Sequence, residues 1–269
     1  MTRINGADAE YIAVTDRAMQ YGDGCFSTIL IEGGKPKLWP LHQARFVKTL
    51  AALSIPEPDW VMVLQQIATL AAEVAEKGVV KVLISRGSGG RGYSPTGCQS
   101  PSVVISQSAF PNHYYKWQQD GIQLGVCDQV LGLSPMLAGF KHLNRLEQVL
   151  LKQEIESRQW LDAVVCDVLG HVVETSASNI FWRKGNRLYT PDLSMAGVCG
   201  VMREHVIGLI EETPYCLQIV KSSLDALLCA DEVFITNALM ALVPINKINE
   251  HSFTERVALD ELNKRLYSC

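Results

Sequence analysis

Ala138-Gly139-Phe140-Lys141-His142-Leu143-Asn144-Arg145-Leu146-Glu147-Gln148 is the stretch on which the reading of this chain turns. A single lysine stands between a loop containing a glycine and a run with helical spacing. Leu143, Leu146, Val149 and Leu150 recur at three- and four-residue steps, which predicts a helix with an apolar stripe to bury. A lysine at such a junction is either a solvated surface residue, as most lysines are, or an amine held rigidly so that it faces a cleft. The rest of the chain separates the two.

A length of 269 residues allows one large domain or two modest ones, each with its own core. Hydrophobic content of 48% and charged content of 19% fit an ordinary globular protein. The formal net charge of −4 argues against a nucleic-acid-binding surface as the main business of the chain. Met1 is followed by Thr-Arg-Ile-Asn-Gly, which lacks the apolar core of a signal peptide, and no uninterrupted apolar run is long enough to span a bilayer. A cytoplasmic protein is expected, with no membrane and no nucleic acid among its partners. The eight cysteines (Cys25, Cys98, Cys127, Cys166, Cys199, Cys216, Cys229 and Cys269) are scattered singly, with no Cys-x-x-Cys pair. The histidines do not cluster at metal-ligand spacing, so reduced thiols and no metal are expected.

Upstream of the lysine, Asn5-Gly6 predicts a tight hairpin turn. Residues 14–23 read as a loop and residues 25–31 as a strand. Gly33-Gly34 turns the chain, with Leu38-Trp39 returning. Helices are expected over residues 41–53 and 60–75, then a strand over 79–84. That strand runs into Ser85-Arg86-Gly87-Ser88-Gly89-Gly90-Arg91-Gly92-Tyr93. Gly87 to Gly92 matches G-x-G-x-x-G, but Ser94-Pro95-Thr96-Gly97 and Pro101 follow, so no helix starts to receive a pyrophosphate and the dinucleotide reading fails. A phosphate-binding loop of the Gly-Lys-Ser/Thr kind fails too, because Gly34-Lys35 is followed by Pro36. What remains is a glycine loop with two arginines, either mobile surface or a carboxylate-binding element. Residues 103–106 form another strand, and Pro111-Asn112-His113-Tyr114-Tyr115 reads as a connector.

Downstream, strands are expected over residues 122–126, 163–168, 171–174, 179–182, 187–190 and 232–235. Helices are expected over residues 201–211, 223–228 and 255–267. Strands and helices mix in both halves, which predicts an α+β (mixed α/β) protein of two domains. The N-terminal domain takes residues 1–109, the connector 110–119 and the C-terminal domain 120–269.

Three features of the second half carry chemistry. Lys141 is a candidate amine. Glu174 ends a strand and precedes Thr175-Ser176-Ala177-Ser178-Asn179, small residues that let a flat ligand approach the backbone. Gly200-Val201-Met202-Arg203 starts a helix whose free N–H groups can hold a phosphate. In this order they resemble the pyridoxal-phosphate enzymes of fold type IV, the family of branched-chain and D-amino-acid aminotransferases. The resemblance is carried by Asp16-Arg17-Ala18 with Tyr21-Gly22-Asp23-Gly24-Cys25-Phe26, by Leu41-His42-x-x-Arg45, and by Ile84 to Tyr93. It continues through Lys141-His142-Leu143-Asn144-Arg145, Glu174-Thr175, Asn179-Ile180-Phe181-Trp182, Gly197 to Arg203, Asp231-Glu232-Val233 and Thr236-Asn237-Ala238. The Lys-His-Leu-Asn-Arg run and the Ser-Arg-Gly loop are most similar to the lyase members of the family.

The resemblance implies a homodimer of two-domain subunits with pyridoxal 5'-phosphate at the domain interface. It implies that Lys141 carries the cofactor and then acts as the mobile base, with Glu174 facing the pyridine nitrogen. Arg45 and the backbone around Val201-Met202 and Asn237-Ala238 are implied to hold the phosphate. The implied reaction releases pyruvate from 4-amino-4-deoxychorismate and leaves 4-aminobenzoate, a step towards folate. Thr28 stands where a hydroxyl is implied to help protonate the leaving group, though threonine is also an ordinary strand residue. Arg86 and Arg91 are implied partners of the substrate carboxylates. The alternatives are an aminotransferase on the same scaffold and a cofactor-binding protein without turnover.

Overall fold

Asn5 and Gly6, both at positive φ (50° and 88°), turn β1 (Thr2–Ile4) back into β2 (Ala7–Asp8). This is the hairpin expected of Asn-Gly. The computed structural model describes residues 1–98 and 100–266, which divide into two units. The first unit comprises Met1–Pro111 together with Phe140–Asn144. Inside the expected loop of residues 14–23 lies a helix, α1 (Arg17–Tyr21), and the loop expectation is corrected there. Asp16 caps it by accepting from Ala18 N at 2.8 Å, and Gly22 closes it in the left-handed region.

The strand expected over 25–31 is β3 (Gly24–Glu32), and the Gly33-Gly34 turn returns as β4 (Lys35–Pro36). Leu38 and Trp39 do not extend that return: Leu38 takes φ 53° as the N-cap of α2 (Trp39–Leu53). Asp59 then caps α3 (Trp60–Ala71) by accepting from Val61 N and Met62 N, and the helix stops short of residue 75. β5 (Lys77–Ser85) pairs with β3 along its full length, and β6 (Ser102–Ala109) completes a sheet ordered β2-β1-β6-β5-β3-β4. Ile29 and Ile31 of β3 pack with Val80, Val82 and Ile84 against Phe46, Leu50, Ile67 and Leu70 of the helices. Each such buried side chain contributes about 1.5–3 kcal/mol.

β4 covers β3 only at Ile31 and Glu32, so the start of β3 has a free edge. Residues 141–143 fill it: Phe26 N donates to Lys141 O and Leu143 N donates to Gly24 O, each at 3.0 Å. Asn144 Nδ2 donates to Gly22 O at 3.0 Å and ties down the end of the segment.

The second unit comprises Asn112–Gly139 and the chain from Arg145 onward. Most of the expected connector is helical, as α4 (His113–Asp120). After it come β7 (Ile122–Val126), α5 (Leu146–Ser157), β8 (Asp162–Cys166), β9 (Val172–Thr175), β10 (Asn179–Lys184) and β11 (Arg187–Pro191). α6 (Val201–Ile210), β12 (Cys216–Val220), α7 (Leu224–Leu228), β13 (Glu232–Asn237), β14 (Ala241–Ile248), β15 (His251–Ser252) and α8 (Val257–Leu266) follow. Tyr267, the last residue of the expected final helix, and Cys269 lie outside the described residues. The sheet runs β12-β11-β10-β13-β14-β7-β8-β9, with β15 on β14. β9 also approaches β10 and β11, so the sheet curls on itself.

The apolar stripe expected on the helix after the lysine is not the face that packs. α5 buries Leu151 and Ile155 against Val165 and Val173, while Leu146, Val149 and Leu150 are exposed. Neither β12 nor β14 is anticipated from the sequence. Among the described residues no helix is long and apolar enough to cross a membrane.

Candidate active site

Side chains alternate along a strand, so Phe26 and Thr28 share one face of β3 while Cys25 and Ser27 share the other. Lys141, on the edge beside Phe26, places Nζ 4.6 Å from the centroid of that ring. Lys81 brings a second ammonium to 4.8 Å from the same centroid. Thr28 is half-buried and directly opposite Lys81 in the β3–β5 register. The candidate amine and the candidate hydroxyl therefore belong to one side of the strand.

On the core side, fully buried Ser27 meets two residues of α2. Arg45 Nη2 donates to Ser27 Oγ, which lies 2.6 Å from His42 Nδ1. Burial, with the Arg45 charge adding to it, pushes the His42 pKa down to about 3. Burial pushes the neighbouring Cys25 thiol up to about 12, which the Arg45 charge only partly opposes.

Asp23 organises the approach to β3. It accepts from Arg86 Nε at 2.7 Å, Arg86 Nη2 at 3.0 Å and Arg17 Nε at 2.8 Å. Burial would raise this carboxyl, but the hydrogen bonds from Arg86 and Arg17 outweigh it and hold the pKa below the usual carboxylate range. Arg86 also donates to Leu53 O and Ser54 O at the end of α2, at 2.7 and 2.8 Å. Its guanidinium is thus engaged with protein on both sides. Arg17 reaches the glycine loop, where it donates to Gly92 O at 3.0 Å and Tyr93 O at 3.2 Å. Arg91 lies exposed on that loop.

In the second unit, Glu174 of β9 is 6% exposed and Oε2 accepts from Val198 N at 2.9 Å. Burial lowers the pKa of Arg145, the residue before α5, and the Glu174 carboxylate opposes that fall. Asn179 grips the same loop twice: Nδ2 donates to Val198 O at 2.8 Å, and Oδ1 accepts from Gly200 N at 3.1 Å. Gly139 N donates to Gly197 O at 2.9 Å, and Cys199 N donates to Gly139 O at 3.0 Å. Residues 197–200 are therefore fixed from three directions. Gly197 sits at φ +83°, and a Cβ there would come within 2.6 Å of Val173 Cγ1 and 3.2 Å of Glu174 Oε2. A Cβ on Gly200 would lie 2.2 Å from Asn179 Oδ1.

α6 begins beyond Gly200 without a side-chain cap, so the N–H groups of Val201 and Met202 have no acceptor one turn back. A helix start of this kind receives anions. Asn237 Oδ1 accepts from Leu239 N and Met240 N at 3.0 and 2.9 Å, which shapes the turn carrying Ala238. Asn179 pairs with Thr236 across β10 and β13, so the α6 start and the Asn237 turn adjoin one residue. Buried Asp162 accepts from Ser176 N and Oγ at 3.1 and 2.7 Å and orders the small-residue run after Glu174.

Lys141, Thr28 and Arg45 thus gather about the first half of β3, in the first unit. Glu174, Val201, Met202, Asn237 and Ala238 gather about Asn179, in the second. Sequence reasoning assigned no role to Asp23 and Asn179, which it named only as carriers of the resemblance, and it did not single out Asp162; the partners of all three are remote in the chain. The one local signal was a polar residue at each end of the small-residue run.

The amino-transferase class IV family model matches residues 24–248. The aminodeoxychorismate lyase of Vibrio harveyi is 44% identical over 263 residues, covering 98% of this chain and 97% of that protein. The crystal structure of 4-amino-4-deoxychorismate lyase from Pseudomonas aeruginosa superposes with a TM-score of 0.93 at 34% identity, over 100% of this chain and 98% of that one. The branched-chain amino acid aminotransferase of Escherichia coli shares the fold, with a TM-score of 0.85 at 18% identity over 99% of this chain and 93% of that one. With the family model spanning most of its length and a full-length relative well above 30% identity, the chain belongs to the class IV aminotransferase family.

Proposed function

We propose that this chain is a pyridoxal-phosphate-dependent lyase that converts 4-amino-4-deoxychorismate to 4-aminobenzoate and pyruvate, in the route to folate. The observation that carries the reading is the seating of Lys141. Its main chain is laid on the free edge of β3 and its amine lies over Phe26, on the Thr28 face. The likeness to two lyases over nearly the full chain supports the same reaction.

The donor set suits a phosphorylated pyridine aldehyde. Lys141 supplies the amine that binds the aldehyde, and the buried Glu174 carboxylate favours a protonated pyridine nitrogen. Arg45, the N–H groups of Val201 and Met202, and the Asn237-Ala238 turn supply the phosphate ligands. When bound, the cofactor supplies an electron sink for the charge left by removal of the substrate's ring proton. Lys141 takes that proton, and its amine is kept at one place by the main-chain bonds to β3. Thr28 relays a proton to the departing enolpyruvyl oxygen. Arg91, exposed on the glycine loop, pairs with a substrate carboxylate, while Arg86 holds the loop's base through Asp23. The protein works as a cytoplasmic homodimer, and the exposed Leu146, Val149 and Leu150 on α5 are consistent with a face covered by a second copy.

The test is a coupled pyruvate assay with 4-amino-4-deoxychorismate, alongside an amino acid and a 2-oxo acid. Pyruvate formed in step with 4-aminobenzoate is expected. Efficient transamination with no pyruvate would replace the lyase by an aminotransferase. Lys141→Ala is expected to give a colourless protein with turnover reduced at least about a thousandfold, read by absorbance and the same assay. Borohydride reduction followed by peptide mapping should place the cofactor on Lys141, and an adduct elsewhere would overturn the assignment.

A further inference from the structure

Beneath the proposed phosphate ligand Arg45 lies a hydrogen-bond chain whose direction can be deduced. A guanidinium only donates, so Ser27 Oγ is the acceptor in its contact with Arg45 Nη2. Ser27 then has one hydrogen of its own to place. It is fully buried on the core side of β3, and among the described residues its other partner is His42 Nδ1, at 2.6 Å. The hydroxyl therefore donates to Nδ1, which must be unprotonated, and the ring proton sits on Nε2. The reverse polarity would give the Ser27 oxygen two donors and leave its own buried hydrogen without an acceptor. Burial independently keeps His42 neutral. His42 and Arg45 are three residues apart on α2 and so share a helix face, while Ser27 comes from the strand below.

We propose that Ser27 and His42 are positioning residues that hold the Arg45 guanidinium in a fixed orientation for phosphate, through a relay running from Arg45 to Ser27 to His42. The inference rests on the reading of Arg45 as a phosphate ligand. An arginine has many rotamers, and one already anchored loses less freedom when its ligand arrives. The relay therefore acts on phosphate affinity rather than on binding of the pyridine ring.

The full-length chain, freed of cofactor, is titrated with pyridoxal 5'-phosphate and with pyridoxal, which lacks the phosphate. Ser27→Ala and His42→Leu are each expected to weaken pyridoxal 5'-phosphate about tenfold while changing pyridoxal less than about twofold. His42→Asn, which returns an acceptor oxygen near the Nδ1 position, is expected to recover most of the loss. Equal weakening of both compounds, or no weakening, would overturn the relay. Arg45→Ala separates the underlying reading: if it weakens both compounds equally, Arg45 is not the phosphate ligand, and the proposal falls with that reading. A measurement on the unaltered protein needs no variant to fold. Long-range proton–nitrogen NMR should find His42 with its proton on Nε2, and a proton on Nδ1 would overturn the relay's direction.

Discussion

His42 shows how one buried side chain couples this fold to pH. In the unfolded chain it takes up a proton near its ordinary pKa of 6.5, whereas in the folded chain it does so only near 3. Between those values the unfolded state binds more protons, so stability falls as the pH drops, by about 1.4 kcal/mol per pH unit at most. Urea unfolding between pH 7 and 4 should therefore show a steeper loss of stability in the parent than in His42→Leu. Parallel slopes would mean that His42 titrates normally in the fold. Asp23 acts in the same direction at lower pH, because its depressed carboxyl favours folding only while ionised. Residue chemistry of this kind was half legible in the sequence. The charge on Arg86 can be read from the chain, but its partner Asp23 stands 63 positions away, and only folding reveals that the guanidinium is occupied.

At the scale of elements, the legible parts were those with sustained patterns. The alternation through β3 and the spacing through α2 predicted both where they stand. α1 is too short to show a helical period, and its Asp16 cap was hidden in a polar run. β14 was masked by Pro244, which lies one residue before the pairing with β7 begins at Ile245 and is tolerated there. On α5 two overlapping sets of apolar residues satisfy helical spacing, and periodicity alone cannot choose the set that packs. The loop between β11 and α6 gives a sharper test. Gly197→Ala should cost about 1–3 kcal/mol and weaken cofactor binding, since it adds strain at φ +83° and crowds Glu174. Gly208→Ala, inside α6 with nothing within 4 Å of the added carbon, should instead stabilise by about 0.4–1 kcal/mol. Thermal denaturation of the two variants should shift in opposite directions.

For the whole molecule, the two units are not two consecutive pieces of chain. Phe140–Asn144 belongs with the first unit, although the residues on both sides of it belong to the second. A fragment ending at Pro111 lacks the strand that satisfies Phe26 N and Gly24 O. Its amide NMR spectrum should be poorly dispersed around Gly24 to Phe26, and joining residues 139–145 through a flexible linker should restore the dispersion. A fragment already well ordered there would show that the added strand is dispensable. The same borrowed strand sets an order of events at the ribosome. The first unit can collapse once residue 111 has left the exit tunnel, but the edge that presents Lys141 cannot close until residue 144 has emerged. Much of the second unit is still being translated at that point, and the stretch carrying Glu174 is still inside the ribosome, so the candidate lysine is fixed in place before Glu174 is free to fold.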